Sequence, residues 1–363
     1  MKNRHLKKIR KILIIRMSSI GDIILTSPFI RQLRENFPTA QIDFLIRSEY
    51  ADLVKYNPYI SHILQYDIQT GYQGLRELKN FLKKQGYNVV VDLHRNFRSF
   101  YLCRFSPKPI LLKINKNRII RFLRVKFNIN LYKRFHDYNI SVAEKYLNAG
   151  SDLLTIKNDL KLELYLPQKI ADKGKQLWRK LEGEGFQLVM APGARHFTKR
   201  WPPELYSELI VKLNQTFGWR TLMVGSDEEA PLMQEIRKKT GEGVSEISAG
   251  YFSLLETAAI IKSVPLFISN DSGLMHIAAA FEIPQIAIFG STTQELGFFP
   301  INPNAVIIEN QNLKCRPCTH IGRKSCPKKH FKCMVEITPQ RVLGVVKEMT
   351  EKSVPANKMS VMN

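Results

Sequence analysis

The sequence predicts an α/β protein with two doubly wound parallel sheets, one in each half of its 363 residues. Two observations lead to this fold class. Short apolar segments of strand length alternate with amphipathic segments of helix length through both halves, as in parallel sheets covered by helices. The chain is also long enough for two domains of ordinary size. We expect an N-terminal domain at 1–167, a second domain at 168–345, and a helix end with a tail at 346–363.

The individual elements follow from local apolar patterns. In the first half, strands are predicted at 12–16, 42–46, 63–66, 89–93 and 110–114, with amphipathic helices such as 23–37 and 74–84 between them. In the second half, strands are predicted at 188–191, 221–224, 266–269, 285–289 and 305–308, and helices at 203–217, 228–239, 254–261 and 273–281. Such sheets hold ligands beyond the carboxyl ends of their strands, so functional residues are expected in those turns. A ligand cleft between the two sheets is the default expectation.

The charge is strongly positive and unevenly distributed. Its net value is +23, from 55 Lys and Arg against 32 Asp and Glu. No acid occurs in 1–21, which holds seven basic residues, or in 93–136, which holds twelve. Such a field attracts polyanions, namely nucleic acid, an anionic membrane or a phosphorylated substrate. A generally basic, solvated surface is the alternative.

The apolar segments are all short. None reaches the roughly 18 to 20 residues that cross a bilayer. The polar, basic N-terminus also lacks the apolar core of a secretory signal. We therefore expect a cytoplasmic protein.

The first strand ends in the turn Met17-Ser-Ser-Ile-Gly-Asp22. Its carboxylate, Asp22, lies after a strand and at the start of a helical segment. A helix cap would explain this acid. A chemical role at the ligand edge of the sheet is the other explanation.

Small residues follow four strands of the second half, at 191–194, 224–226, 271–273 and 289–293. In the strongest of these turns, Asp271 and Ser272 can cap a helix that begins near Gly273, and His276 lies within its first two turns. Free N–H groups at a helix start bind phosphate, so the four turns together indicate a nucleotide diphosphate site. Ordinary tight turns are the alternative, and for His276 a structural histidine. The residues assigned to this site are Gly193, Gly225, Asp271, Ser272, Gly273, His276, Gly290, Ser291 and Thr292.

Another loop, 195–203, carries Lys199 and Arg200 before Trp201 and two prolines that suit a helix start. A lysine in this loop can neutralise a diphosphate leaving group. An exposed base with no such role is the alternative.

Together these motifs resemble glycosyltransferase family 9, the bacterial lipopolysaccharide heptosyltransferases. The resemblance runs in order from 12 to 342. It rests on Ser18-Ser-Ile-Gly-Asp22 with Thr26 and Pro28, Lys199-Arg-Trp-Pro202, Asp271-Ser-Gly-Leu-Met-His276 and Gly290-Ser-Thr292.

This resemblance implies a GT-B fold, in which two Rossmann-like domains face a central cleft. It implies inverting, metal-independent transfer of a heptose from ADP-heptose to the phosphorylated lipid A–Kdo core of lipopolysaccharide, without a cofactor, at the inner face of the inner membrane. It further implies that Asp22 is the general base, that Lys199 contacts the donor phosphates, and that Asp271, Gly273 and His276 lie at the donor site. Inversion needs one such base, and without a metal the leaving diphosphate needs cations and N–H dipoles.

The acceptor is assigned to the first half. His94, Arg95 and Arg98 open the acid-free stretch 93–136 at a strand end, and they join Ser18, Ser19 and Gly21 as predicted acceptor-binding residues. Phe, Leu and Ile interleave with the cations beyond them, which favours an anionic membrane surface as a partner. A solvated helix face is the alternative.

Two rival functions stay open at this point. One is a member of the same family that uses another sugar nucleotide or acceptor. The other is a non-enzymatic polyanion binder on the same fold, for example for RNA. No nucleic acid is expected as a partner, because the chain has no aromatic stacking motif for it.

Four of the five cysteines, Cys315, Cys318, Cys326 and Cys333, fall in one short segment, and Cys103 is isolated. Cys-x-x-Cys is half of a zinc site, but six residues separate the second pair, which is not the usual repeat. A structural metal, a redox-dependent disulfide and reduced thiols are all open. No metal is assigned to catalysis.

Overall fold

The computed structural model describes residues 9–104, 108–132 and 140–353. The parts of the two acid-free stretches at 1–8, 105–107 and 133–136, and the predicted tail at 354–363, lie outside these residues. The described chain forms two compact units. The first comprises the described residues of Met1–Arg121, Leu131–Gln168 and Gln294–Ile301, and the second those of Phe122–Asn130, Lys169–Thr293 and Asn302–Asn363.

The first unit is built on a parallel sheet that has five strands within the described residues, in the order β3-β2-β1-β4-β5. All five strands predicted for the first half are present. They are β1 (Lys11–Ile15), β2 (Gln41–Arg47), β3 (His62–Tyr66), β4 (Val89–Asp92) and β5 (Ile110–Lys113). The central strand β1 pairs with both β2 and β4, and its apolar run is also buried on both faces.

The first helical segment of this unit differs from the prediction. The single amphipathic segment expected at 23–37 is two helices, because Pro28 has no N–H to continue the first one. The hydroxyls of Thr26 and Ser27 donate instead to the carbonyls of Ile23 and Ile24, at 2.6 and 2.8 Å. The helices are α1 (Ile20–Ile24), α2 (Ser27–Asn36), α3 (Asp52–Lys55), α4 (Gly71–Lys84), α5 (Phe97–Leu102) and α7 (Val142–Asn148), while α6 (Arg118–Phe127) begins in the first unit and continues into the second.

The second unit has a parallel sheet in which the described chain contributes six strands, in the order β11-β10-β9-β6-β7-β8. The five strands predicted for this half are present, and one more, β8, was not predicted. Only three residues long, β8 has the sequence Ser-Glu-Ile, which carries no apolar run to identify it. The strands are β6 (Phe186–Ala191), β7 (Arg220–Met223), β8 (Ser245–Ile247), β9 (Phe267–Asn270), β10 (Gln285–Phe289) and β11 (Ala305–Glu309).

The helices of the second unit cover this sheet, and the helix predicted at 203–217 has the predicted bounds. Its start follows Trp201, which is fully buried, packs edge-on against Tyr206, and donates from Nε1 to the carbonyl of Ile337 at 2.9 Å. Among the described helices, none is both long and apolar enough to cross a bilayer. The helices are α8 (Gln168–Gly183), α9 (Pro203–Phe217), α10 (Ala230–Thr240), α11 (Leu254–Ser263), α12 (Gly273–Ala280), α13 (Lys332–Val335) and α14 (Pro339–Ser353).

Candidate active site

The predicted functional residues cluster where each sheet reverses its strand order. In the first sheet this place lies between β1 and β4, since the chain proceeds from β1 to β2 and β3 and then returns to β4 on the other side. In the second it lies between β6 and β9. The loops that leave two adjacent strands diverge at such a point and leave a crevice, which is the usual ligand site of an open α/β sheet.

In the first unit, Asp22 lies in the first turn of α1, after β1. Its Oδ1 is 2.6 Å from Nη2 of Arg16 and accepts a hydrogen bond from the hydroxyl of Tyr146 at 3.3 Å. Its Oδ2 accepts from the backbone N–H and the hydroxyl of Ser19, at 3.5 and 3.1 Å. Both carboxylate oxygens are therefore held by donors.

These partners determine the protonation state of the acid. Burial opposes the charge on Asp22, but Arg16 and the hydrogen bonds from Ser19 outweigh it and hold the pKa of Asp22 below its usual range. Burial also raises the pKa of Tyr146 well above its usual value, so the phenol stays a hydrogen-bond donor. Asp22 is therefore an ionised carboxylate over the whole neutral range. A helix cap alone needs no cation, so Arg16 separates this acid from an ordinary cap.

The loop after β4 is organised by Asp92, which is buried and accepts hydrogen bonds from the backbone N–H groups of His94 and Arg95, at 3.0 and 2.7 Å. The Arg95 guanidinium donates to the carbonyl of Ile114 at 2.7 Å, so part of its donor capacity is used internally. Burial, and then the charges of Arg16 and Lys116, lower the pKa of His94 to about 3, so this side chain is neutral. Arg98 is exposed on α5.

In the second unit, three of the predicted donor-site residues are in direct contact. Nζ of Lys199 is 2.7 Å from Oδ2 of Asp271, and the Thr292 hydroxyl donates to the same oxygen at 2.6 Å. Only 4% of the Asp271 side chain is exposed, against 15% of Lys199. Residues from three separate turns thus meet at the end of β9. Asp271 needs its lysine, because a buried carboxylate without a cation is costly.

Hydroxyl groups line the same turns. Ser272 is the residue before α12, and Ser291 follows β10, with its backbone N–H donating to the carbonyl of Thr198 at 3.3 Å. Within the described residues, the hydroxyls of Ser272, Ser291 and Thr293 are buried and have no hydrogen-bond partner. Buried polar groups are usually paired, so these three hydroxyls have hydrogen-bonding capacity that the described chain does not use. Gly273 begins α12, and His276 is buried within it.

Two glycines assigned to the donor, Gly193 and Gly225, lie against the carboxylate of Glu229. A Cβ at Gly193 would come within 2.0 Å of Glu229 Oε1, and one at Gly225 within 2.7 Å of Glu229 Oε2. The backbone N–H of Ser226 donates to that carboxylate at 3.1 Å. Glu229 therefore places a hydrogen-bond acceptor beside both turns.

A family model decides what kind of protein has this arrangement. The model of glycosyltransferase family 9 (heptosyltransferase) matches residues 75–330, which is more than half of the chain. The chain belongs to this family. The predictions of a glycosyltransferase and of its family are thereby confirmed.

Individual relatives are similar to this glycosyltransferase over almost the whole length of the chain. Lipooligosaccharide heptosyltransferase 2 of Campylobacter jejuni is 28% identical over 342 residues, which cover 92% of this chain and 96% of the relative. Among solved structures, a family 9 glycosyltransferase from Veillonella parvula has a TM-score of 0.75 at 22% identity, covering 95% of this chain and 98% of that one. The Escherichia coli ADP-heptose lps heptosyltransferase II has a TM-score of 0.71 at 21% identity, with 94% and 99% covered. These structures confirm the predicted GT-B fold class.

Some residues of the glycosyltransferase site were not predicted. Arg16 and Tyr146 contact Asp22, and Lys116 donates from Nζ to the carbonyl of His94 at 2.6 Å. Burial, and then the charge of Arg16, lower the pKa of Lys116 to about 8. The position of Arg16 directly after the first strand and that of Lys116 in the acid-free stretch were available signals. Tyr146 carries no local signal.

The cysteine segment of the glycosyltransferase contains no disulfide in this structure. All five cysteines lie in described residues and none is in a disulfide. Cys315 Sγ is 3.8 Å from Nε2 of His330, yet the described residues contain no group of three or more His, Cys, Asp or Glu arranged to hold a metal. Burial raises the pKa of Cys333 to about 12, so this thiol is protonated at neutral pH.

Proposed function

We propose that this glycosyltransferase moves a heptose from ADP-heptose to the phosphorylated lipid A–Kdo inner core of lipopolysaccharide, with inversion at the anomeric carbon. Family membership supports heptose transfer. The names of the Campylobacter and Escherichia coli relatives support the donor and the acceptor class. The observation that carries the chemistry is the ionised carboxylate of Asp22, held by Arg16 at the reversal of the first sheet.

In this proposal, Asp22 is the general base. The acceptor oxygen bonds to the anomeric carbon, the bond from that carbon to the diphosphate oxygen breaks, and the hydroxyl proton goes to Asp22. A carboxylate with a lowered pKa is a weak base before the reaction. The hydroxyl becomes strongly acidic as its oxygen forms the new bond, so a weak but ionised base is sufficient.

The leaving diphosphate gains negative charge as the bond breaks. Lys199 supplies a cation whose position is held by Asp271. The backbone N–H groups at the start of α12 and the hydroxyls of Ser272 and Ser291 supply hydrogen-bond donors. Preorganised donors of this kind stabilise a developing anion without a rearrangement during the reaction.

The acceptor is assigned to the cations near Asp22. Arg95 and Lys116 lie on the loops after β4 and β5, and Arg98 lies in α5; phosphate groups of the acceptor would bind there. Nearby, α5 and the first turn of α6 expose apolar side chains, with 79% of Phe97 and 76% of Ile119 accessible. Apolar groups among cations fit an anionic membrane surface, which is where a lipid-linked acceptor resides.

The test offers the purified protein a panel of sugar nucleotides and truncated core acceptors and detects products by mass. Product with ADP-heptose and a Kdo-containing phosphorylated acceptor is the expected result. Product only with another sugar nucleotide would replace the proposed donor. Salt-sensitive RNA binding without binding of any sugar nucleotide would overturn the proposal in favour of a polyanion binder.

A further inference from the structure

Arg316 is a buried arginine in the middle of the cysteine segment, between Cys315 and Cys318. It is only 5% exposed. Its guanidinium reaches three backbone carbonyls and one carboxylate. Nε donates to Gly290, Nη1 donates to Asn310, and Nη2 donates to the Thr292 carbonyl at 2.8 Å and to Glu309 Oε2 at 2.7 Å.

Two of these acceptors belong to the turn after β10. The carbonyls of Gly290 and Thr292 flank Ser291, so the guanidinium holds this turn from both sides of that residue. The turn is also closely packed, because a Cβ at Gly290 would come within 2.9 Å of the Thr198 carbonyl and 2.6 Å of Met334 Cε. Arg316 therefore holds a segment that has little free space beside Gly290.

This turn is connected to the cation of the site. The Thr292 hydroxyl donates to Asp271 Oδ2, and the same oxygen pairs with Lys199. A shift of the Thr292 backbone would therefore change the position of the carboxylate that holds the Lys199 ammonium. The contacts form a continuous path from Arg316 through Thr292 and Asp271 to Lys199.

Packing alone does not require an arginine at this position. Buried ion pairs can often be replaced by apolar side chains without loss of stability. A planar guanidinium, by contrast, donates along several fixed directions at once, and lysine cannot reproduce that pattern. The match between this donor pattern and the carbonyls of Gly290, Thr292 and Asn310 points to a demand for geometry rather than for volume.

We propose that Arg316 is a positioning residue for donor binding, which fixes the Gly290–Thr292 turn and, through Thr292, the Asp271–Lys199 pair. The inference rests on the proposed function, since it assigns that turn to the donor diphosphate. It also gives the cysteine segment a role in the reaction, because the segment delivers this side chain into the site.

The test compares Arg316→Lys with wild type by calorimetric titration of ADP and by steady-state kinetics with donor and acceptor varied separately. Lysine keeps the charge opposite Glu309 but loses the bonds to two of the carbonyls. We expect the Kd for ADP and the donor KM to rise about tenfold, which is the factor for one lost hydrogen bond. The acceptor KM should stay within about twofold, because the bonds of Asp22 are untouched.

Arg220→Lys is the matched control. Arg220 also donates to two backbone carbonyls, those of Gly243 at 2.6 Å and Glu184 at 2.9 Å, but at the start of β7, away from the carboxyl ends of the strands. This variant should bind ADP like wild type. Equal loss of ADP affinity in both variants, or wild-type affinity in a folded Arg316→Lys, would overturn the positioning role.

A second variant covers the case in which Arg316→Lys does not fold. Arg316→Gln with Glu309→Gln leaves no unpaired charge and should show the same loss of ADP affinity. Wild-type affinity in this double variant would also count against the proposal. Failure of the proposed function is distinguishable, because then the wild-type protein would itself neither bind ADP nor transfer heptose.

Discussion

The guanidinium of Arg16 lies 2.6 Å from the carboxylate of Asp22, and the two side chains come from opposite ends of the turn that follows the first strand. Arg16 is further fixed by donation from Nη1 to the carbonyl of Leu93 at 2.7 Å and by the ring of Tyr146, 5.6 Å from its carbon. The acid therefore has a permanent counter-ion. The ion pair offsets the cost of burying the charge of Asp22, and it also holds the carboxylate in one orientation.

Asp22→Asn removes the proposed base while keeping the shape of the side chain. We expect the transfer rate to fall about 10²- to 10⁴-fold, the usual contribution of a general base. ADP affinity should be unchanged. Asp52→Asn is the control, since Asp52 is a surface acid on α3 whose partner, Lys55, is 3.9 Å away. Most of the activity retained in Asp22→Asn would contradict the role of base.

Arg16→Gln tests the ion pair through the pH profile. Asp22 acts when ionised, so activity falls as the pH falls through its pKa. Without Arg16 only the hydrogen bonds from Ser19 and Tyr146 remain to hold the carboxylate, so the pKa of Asp22 rises and the acidic limb of kcat/KM should move to higher pH. The ionised Asp22 contributes stability that is fully present above its unfolded-state pKa and is lost as the pH falls through its lower folded-state pKa. In Arg16→Gln the folded-state pKa is less depressed, so this contribution to the free energy of unfolding should be smaller and should be lost over a narrower pH range.

The control for this profile is Arg34→Gln. Arg34 donates to the carbonyls of Tyr59 and Ala40 in the same unit, and it has no contact with Asp22. The Arg34→Gln variant should leave the acidic limb of the kcat/KM profile unchanged. An unshifted limb in Arg16→Gln would show that Asp22 is not the titrating group.

Lys199→Met separates donor binding from stability. The substitution leaves Asp271 buried without its cation, so we expect a loss of roughly 3–5 kcal/mol in the free energy of unfolding. Adding Asp271→Asn should restore much of this stability but not donor affinity. Denaturant titration and ADP calorimetry measure the two effects, with Lys212→Met, from an exposed pair with Glu208, as control. Recovery of ADP affinity in the double variant would contradict a direct phosphate contact.

Phe97→Ser with Phe100→Ser tests the membrane surface. Both rings are exposed on α5, at 79% and 49%. Co-sedimentation with vesicles that contain phosphatidylglycerol should fall severalfold, because apolar burial and charge attraction act together. Activity on a water-soluble truncated acceptor should persist. Tyr251→Ser, at an equally exposed aromatic of the second unit, should sediment like wild type. Unchanged sedimentation of the Phe97 and Phe100 variant would exclude this surface.

The fold was largely predictable because strand identity is a local property here. A parallel strand buried on both faces needs a continuous apolar run, as in β1 and β10, and all ten predicted strand segments became strands. The two failures have local causes as well. β8 is too short and polar to stand out, and the break before α2 depends on one proline whose effect the apolar periodicity of 23–37 concealed.

The site was predictable in part. The turns at strand ends contain Asp22, Lys199, Asp271 and Thr292, and these positions follow from the sequence pattern and the family resemblance. Their partners do not follow from either. Glu229 against two glycines and Arg316 behind the Thr292 turn are ordinary charged residues in the sequence. Only the burial of Arg316 and the contacts of both residues distinguish them.

Apolar periodicity and turn composition were enough to establish the fold class, the strand ends and the residues that stand there, because each depends on a few neighbouring residues. The tertiary structure decided which of those residues meet. Tyr146 reaches Asp22 across 124 positions of chain, and Arg316 reaches Thr292 across 24. These contacts arise because the strand order and the helices that cross over the sheet bring distant turns to one edge. The charge state of Asp22 and the rigidity of the donor turn are consequences of that packing.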